Sequence, residues 1–395
     1  MPKKTLNIGL IGQAFMGRVH SNAWNQVGKF FDPPVAPVLH TICAKHGKTL
    51  EAFAQRWGWQ NVSQNWKELC HNPEIDLVDV GTPNQLHMEM AIEALEAGKH
   101  VACEKPLAGS LDDARKMAIA ARKSKAQTFV WYAYRRCPAV AFAHQLVKAG
   151  KLGEIRHVRA TYLQSWADES VPLTWRFNGK LAGSGAHGDL NAHIIDMTRF
   201  VTGEEITEIS GAIAKTFVKQ RNRLIGQVSG GISSGLKKSK SKSRVTVDDA
   251  FLFLARFSGG AVASFESARQ ATGNLNQNGF EINGTKGALR FDFERLMELD
   301  YFDATSDRAT QGWRTINCLH AGAHPYAEAW WPDAHAIGYE HTFTNMAYDI
   351  LRILGKKSPI VPMPNFEDAY KTQRVLEAAS VSAKEKCAIK MTDIK

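Results

Sequence analysis

The chain has 395 residues, 44% of them hydrophobic and 22% charged, and 49 Lys and Arg against 39 Asp and Glu give a formal net charge of +10. That length is too great for one ordinary core and calls for two domains, while no apolar run approaches the ~20 residues of a membrane span. Six cysteines without C-x-x-C spacing signal neither a disulfide framework nor a zinc site, so no metal is expected and a reducing cytoplasm fits.

The opening MPKKTLNIGLIG sets two lysines before an apolar run, but Gly9 and Gly12 interrupt it and no small-residue cleavage site follows, so it reads as a first strand. GQAFMG, residues 12–17, comes next. It is a G-x-G-x-x-G dinucleotide loop with Ala14 in the middle glycine's place, directly before the amphipathic MGRVHSNAWNQV. Gly12, Ala14, Phe15, Met16 and Gly17 are therefore candidate cofactor contacts. A methyl group at position 14 is tolerable if the turn needs no positive φ there. His20, in the first helix, reads as a packed or capping histidine.

Further strand candidates are LHTICAK, LVDVGTP, HVACEKP and QTFVWYAY, and they alternate with helical patterns in the rhythm of a doubly wound parallel sheet. KTLEAFAQRWG and QLHMEMAIEALEAG end on Gly58 and Gly98, which suit left-handed C-caps, and SLDD at 110–113 opens a helix with a capping box. No acid stands between Pro33 and Leu50. Ala44, Lys45 and His46 occupy the place where NAD enzymes usually present an acid to the ribose, so the residues lean towards NADP over NAD, with Lys45 facing a 2′-phosphate. From about Gly153 the texture changes to EIRHVRATYLQSW, ITEISGAIAKTFV, RVTVDDAFLFLARF and GGAVASFESAR, well-spaced strands of a mainly antiparallel sheet. The fold class is thus α/β: a Rossmann doubly wound parallel sheet over 1–134, then an α+β domain with a large, mainly antiparallel sheet over 135–395, whose C-terminal helix packs back on the first domain. SGGISSGLKKSKSKSR, 229–244, holds five basic residues and no acid, half of the net excess, and reads as a solvated loop; nucleic acid is not an expected partner.

Two strand ends carry the chemistry. One is GTPNQLH with Thr82, Pro83, Asn84 and His87, the other CEKP with Glu104 and Lys105, and GDLNAHIID follows at 188–196. In that order these motifs resemble the glucose-fructose oxidoreductase and inositol dehydrogenase family, Gfo/Idh/MocA, with Asn191 where the family has glycine. FMGRVHSNAW and HPYAEAWWP resemble its levoglucosan dehydrogenase subgroup. The resemblance implies NAD(P)-dependent hydride transfer at a secondary hydroxyl of a sugar or cyclic polyol, catalysis by Lys105, Asp189 and His193, and a cis Lys105–Pro106 bond.

The residue types fit that chemistry on their own terms. Oxidising a secondary alcohol needs a proton acceptor and a cation at one oxygen. His193, near its reference pKa of ~6.5, suits the proton, and Lys105 suits the developing alkoxide. Asp189, four residues before His193, shares its helix face and binds a neighbouring hydroxyl or orients the lysine. Tyr134, Arg135, Trp166, Arg176 and Asn191 are candidate substrate contacts, and Trp175, Trp330 and Trp331 are candidate stacking faces. A homo-oligomer, dimer or tetramer, is expected. Two other readings stay open: an NAD-dependent glycosidase that regenerates its cofactor, and a dinucleotide-binding sensor without turnover.

Overall fold

The computed structural model describes residues 3–45, 47–225 and 237–394, and its contacts divide the chain into two compact units. Residues 3–136 and Gly338–Tyr370 belong to the first, and 137–225, 237–337 and 371–394 to the second.

The first unit holds six strands: β1 (Thr5–Ile11), β2 (Ala36–Cys43), β3 (Asn61–Ser63), β4 (Leu77–Val80), β5 (His100–Cys103) and β6 (Thr128–Val130). They are all parallel, in the spatial order β3-β2-β1-β4-β5-β6. Between them run α1 (Phe15–Phe30), α2 (Gly47–Trp57), α3 (Trp66–His71), α4 (His87–Glu96) and α5 (Leu111–Lys123). This is the expected Rossmann order, and the chain reverses between β1 and β4, where open α/β sheets bind ligands at the carboxyl ends of their strands. Helix punctuation follows the sequence. Gly58 and Gly98 have φ of 79° and 78°, and the Ser110 hydroxyl accepts the Asp113 N–H at 3.2 Å. β6 is shorter than QTFVWYAY suggested, because residues 133–136 coil into a 3-10 turn.

The second unit begins with α6 (Pro138–Lys148) and β7 (Ile155–Leu163), then α7 (Gly179–Ala182), α8 (Ala192–Thr202) and β8 (Ile206–Lys215). There follow β9 (Gln220–Leu224), β10 (Lys238–Arg244), β11 (Ala250–Phe257), β12 (Val262–Ala268), β13 (Gln277–Gly284), β14 (Gly287–Asp292), β15 (Glu298–Asp303), β16 (Trp313–Asn317) and β17 (Ile389–Lys390). Nine of these form one sheet, β16-β15-β14-β13-β7-β12-β11-β8-β17, antiparallel throughout except for the β7/β12 pair. Alternation decides the faces: Val158, Ala160 and Tyr162 of β7 and Phe251, Phe253 and Ala255 of β11 are buried, β7 against α8 and β11 against the turn at 187–191, while the residues between them face outward. α9 (Tyr339–Leu354) returns to the first unit, and α10 (Phe366–Glu385) starts there and continues in the second.

The basic stretch needs a correction. Lys238–Arg244 is not a loop but a strand, antiparallel to β9 in a separate two-stranded ribbon. Alternating Lys and Ser lets every second position remain solvated while the backbone pairs. Residues 229–236 lie outside the described residues.

Candidate active site

In the first unit, three strand ends shape a cradle. Gly12 follows β1 with φ of 122°, and a Cβ built there would stand 2.6 Å from the Gly81 carbonyl oxygen after β4. A Cβ on Gly17 would collide with the Gly12 carbonyl, so the outer two glycines are sterically required. Ala14 has φ of −77° and is the N-cap of α1, so the middle position needs no glycine. An alanine offers no side-chain cap, and the first turn of α1 has no acid, which leaves its amides suited to a phosphate. These features fit a dinucleotide. Phe15 stacks on Tyr339 at 6.2 Å, Met16 is partly buried, and Lys45 is exposed after β2; His46 lies outside the described residues.

The T-P-N and E-K-P segments are bolted from beneath. His87, fully buried at the start of α4, sets Nε2 2.8 Å from the Thr82 carbonyl and Nδ1 3.1 Å from the Pro106 carbonyl. Burial pushes His87 down, against the pull of those carbonyls and Glu104. Asn84 opens a 3-10 turn, Lys105–Pro106 is cis as expected, and the Lys105 N–H donates to Glu104 Oε2 at 3.0 Å. The other Glu104 oxygen lies 3.0 Å from His20 Nε2, and His20 Nδ1 lies 3.1 Å from Asp79 Oδ1. Trp24 and Trp131 indoles also donate to Asp79, at 2.8 and 2.9 Å. Tyr134 and Arg135 lie in the turn after β6, nearly buried, and Arg135 Nη2 is 2.5 Å from Asp368 Oδ2, so its charge is matched within the protein.

In the second unit, Asp189 and His193 come from adjoining turns of different pitch. His187–Asn191 is a π-helical turn that runs into α8, a correction to the single α-helix expected there. Such widened turns occur often at functional sites. His193 is the one residue from Leu190 to Thr202 that is not buried, and the Tyr162 ring packs against it at 5.7 Å. Asp189 Oδ2 receives Arg269 Nη2 at 2.9 Å, and the same guanidinium reaches the Arg176 carbonyl at 3.2 Å and lies over Trp166 at 5.4 Å. Arg176 itself stacks on Trp175 at 4.5 Å. The Trp166 indole donates to Gln164 at 2.8 Å, and Gln164 and Tyr162 both donate to Asn276 Oδ1, at 2.7 and 3.0 Å. Asn278, opposite Tyr162 in register and fully buried, has no hydrogen-bond partner for either amide atom among the described residues. Unmet polar groups of this kind call for water or a polar ligand.

Not every expected contact joins this group. Asn191 is fully buried against β11, with its amide nitrogen 3.0 Å from His187 Nδ1 and 3.3 Å from the Phe251 carbonyl oxygen. Trp330 is buried and Trp331 exposed. Conversely, His20, Asp79, Tyr162, Arg269 and Asn278 were not singled out as site residues by the sequence. Asp79 carried a signal: an acid inside LVDV, an otherwise apolar strand, must be buried and must have partners.

Residues 6–132 match the oxidoreductase family with the NAD-binding Rossmann fold, and residues 140–290 match the GFO/IDH/MocA C-terminal domain. Levoglucosan dehydrogenase of Pseudarthrobacter phenanthrenivorans is 38% identical over 96% of each chain. An oxidoreductase domain protein from Kribbella flavida superposes with a TM-score of 0.91 at 44% identity, covering 98% of this chain and 99% of that one. Levoglucosan dehydrogenase in complex with NADH and levoglucosan gives 0.90 at 37% identity, covering 99% and 100%.

Proposed function

This chain belongs to the Gfo/Idh/MocA oxidoreductase family, and on that premise we propose that it transfers a hydride between nicotinamide and a secondary hydroxyl of a sugar or cyclic polyol, levoglucosan being the first substrate to try. The observation that carries the reading is the polar wall of the second unit: the accessible His193 beside Tyr162, the Asp189 carboxylate held by Arg269, and the unsatisfied amide of Asn278. Such a wall matches a ligand covered in hydroxyls better than an apolar one.

Residues 1–134 bind the dinucleotide through the Gly12–Gly17 loop, Thr82, Pro83, Asn84 and Glu104, and 135–395 bind the substrate. When bound, the nicotinamide ring supplies the hydride acceptor. Lys105 Nζ holds the reacting oxygen and stabilises its developing charge. His193 takes the hydroxyl proton, and Asp189 accepts a hydrogen bond from a neighbouring hydroxyl. Among the described residues no helix is long and apolar enough to cross a membrane. We place the enzyme in the cytoplasm as a homo-oligomer.

NADH in the solved relatives supports NAD(H), while Lys45 and the absence of an acid after β2 support NADP(H). One variant decides between them. If Lys45 meets a 2′-phosphate, Lys45→Asp lowers the ratio of kcat/KM for NADP over NAD by about 10- to 100-fold, and less so in high salt. If the wild type already prefers NAD, the ratio moves by less than about threefold. The function itself is tested by incubating the enzyme with levoglucosan, other anhydrosugars and inositols with each cofactor, and following reduced nicotinamide by absorbance. Net reduction with one of these substrates is expected; no substrate-dependent reduction with any of them overturns the proposal.

A further inference from the structure

His20 sits in α1 with its ring fully buried, and each ring nitrogen meets a different carboxylate: Nδ1 is 3.1 Å from Asp79 on β4, and Nε2 is 3.0 Å from Glu104 just after β5. A neutral imidazole has one N–H and would present a bare lone pair to one of those oxygens. Two carboxylates therefore require a second proton within the trio. Asp79 already accepts both Trp24 and Trp131 indole N–H groups, so donors surround its carboxylate on every side that the ring leaves open. The ring is stacked on Trp131 at 4.3 Å and flanked by Phe343 at 5.8 Å, so it has no freedom to turn away.

Glu104 is the link to the chemistry. One of its oxygens is taken by His20 and the other accepts the backbone N–H of Lys105 at 3.0 Å. On the far side of Lys105, the Pro106 carbonyl lies 3.1 Å from the buried His87 ring. The lysine backbone is thus fixed on one flank through Glu104 and packed on the other against a buried imidazole. A buried ion triad gives no stability advantage over apolar packing of the same volume, so stability alone does not account for it. Positioning does, because catalytic groups lose effect when misplaced by about 1 Å.

We propose that His20 is a positioning residue of the hydride-transfer reaction, a buried imidazolium that locks the Glu104 carboxylate and through it the backbone of Lys105. Burial alone would lower its pKa, but Asp79 and Glu104 outweigh that and raise it to about 9, so the ring is charged through the neutral range. The proposal rests on Lys105 acting on the substrate, and its test includes a control for that reading.

The experiment compares wild type, His20→Gln, Glu104→Gln, the double variant and Lys105→Ala, using levoglucosan with NAD⁺ for turnover and NADH fluorescence for cofactor binding. Glutamine at 20 retains one amide donor but neither the charge nor the second donor. The expected result is a kcat lower by about 10- to 100-fold in His20→Gln, with KM and NADH affinity within about threefold, and a double variant no worse than its weaker single parent. A kcat within about twofold of wild type overturns the proposal, as does additive loss in the double variant or a parallel collapse of NADH binding. Should Lys105→Ala remain active, the functional reading falls instead, which separates the two failures. If His20→Gln does not fold, ¹⁵N NMR of the wild-type imidazole replaces it: both nitrogens protonated at pH 7 support the proposal, and a neutral ring beside ionised Asp79 and Glu104 overturns it.

Discussion

Lys105 is where the proposed mechanism concentrates its electrostatics, and Lys105→Ala tests it most directly. Turnover should fall by at least about 100-fold while NADH affinity, measured by fluorescence, stays within about tenfold, because the lost group acts on the reacting oxygen. Arg269 acts at one remove. It is nearly buried, and its contact with Asp189 is a charge-assisted hydrogen bond of a kind worth about 1.5–3 kcal/mol. Arg269→Gln should therefore raise KM for the sugar and lower kcat/KM by about 10- to 100-fold, with NADH affinity unchanged. Unchanged KM would show that Asp189 keeps its position without the arginine. Lys105, Asp189 and His193 stand out in the sequence because each sits in a short motif at a strand end or a helix start. Arg269 does not, since it lies at the end of a strand pattern, GGAVASFESAR, where an arginine reads as one more surface charge. Only the fold brings it back onto Asp189, 80 positions earlier.

Periodic segments with punctuation were readable: the strands of the parallel sheet, the glycines that end α2 and α4, and the alternation in β7 and β11 all follow from local chemistry. Two segments were not. The π turn at His187–Asn191 inserts a wider pitch into an amphipathic pattern that α-helical spacing already satisfies, so nothing in GDLNAHIID announces it. The Lys/Ser ribbon has no apolar face to betray a strand, and backbone pairing with β9 alone defines it. His20 shows how an element can look ordinary and yet tie others together, since from α1 it engages β4 and the end of β5. Its raised pKa also makes a prediction about stability. A group at about 9 when folded and near 6.5 when unfolded contributes stability that is fully present below pH 6.5 and is lost as pH rises through 9. The Tm difference between wild type and His20→Gln should accordingly be largest near pH 6 and shrink towards pH 10. A difference independent of pH would mean that the ring contributes packing and no charge.

The second unit covers one face of its nine-stranded sheet with helices and leaves the other open, and that asymmetry bears on the proposed assembly. On the open face Leu252 and Leu254 of β11 are 39% and 53% exposed, Val262 of β12 is 46% exposed, and Ile213 of β8 is 63% exposed. The register sets Ile213 beside Leu252 and Val262 opposite Arg256, two residues from Leu254, so the four form one patch and not scattered singles. Contiguous exposed apolar side chains on a sheet face mark an association surface. A second copy is the occupant that the proposed homo-oligomer supplies, and an isologous contact would set Leu254 near the centre of both halves. Leu254→Glu should then shift the protein towards monomer in sedimentation velocity at about 10 µM, since an unpaired carboxylate buried in an apolar contact costs several kcal/mol. Because Leu254 points away from α8 and His193, the variant should keep its far-UV circular dichroism and the Tyr162–His193 packing beneath the sheet. A wild type that already sediments as a monomer at that concentration would remove the assembly proposal and leave the patch to a different partner.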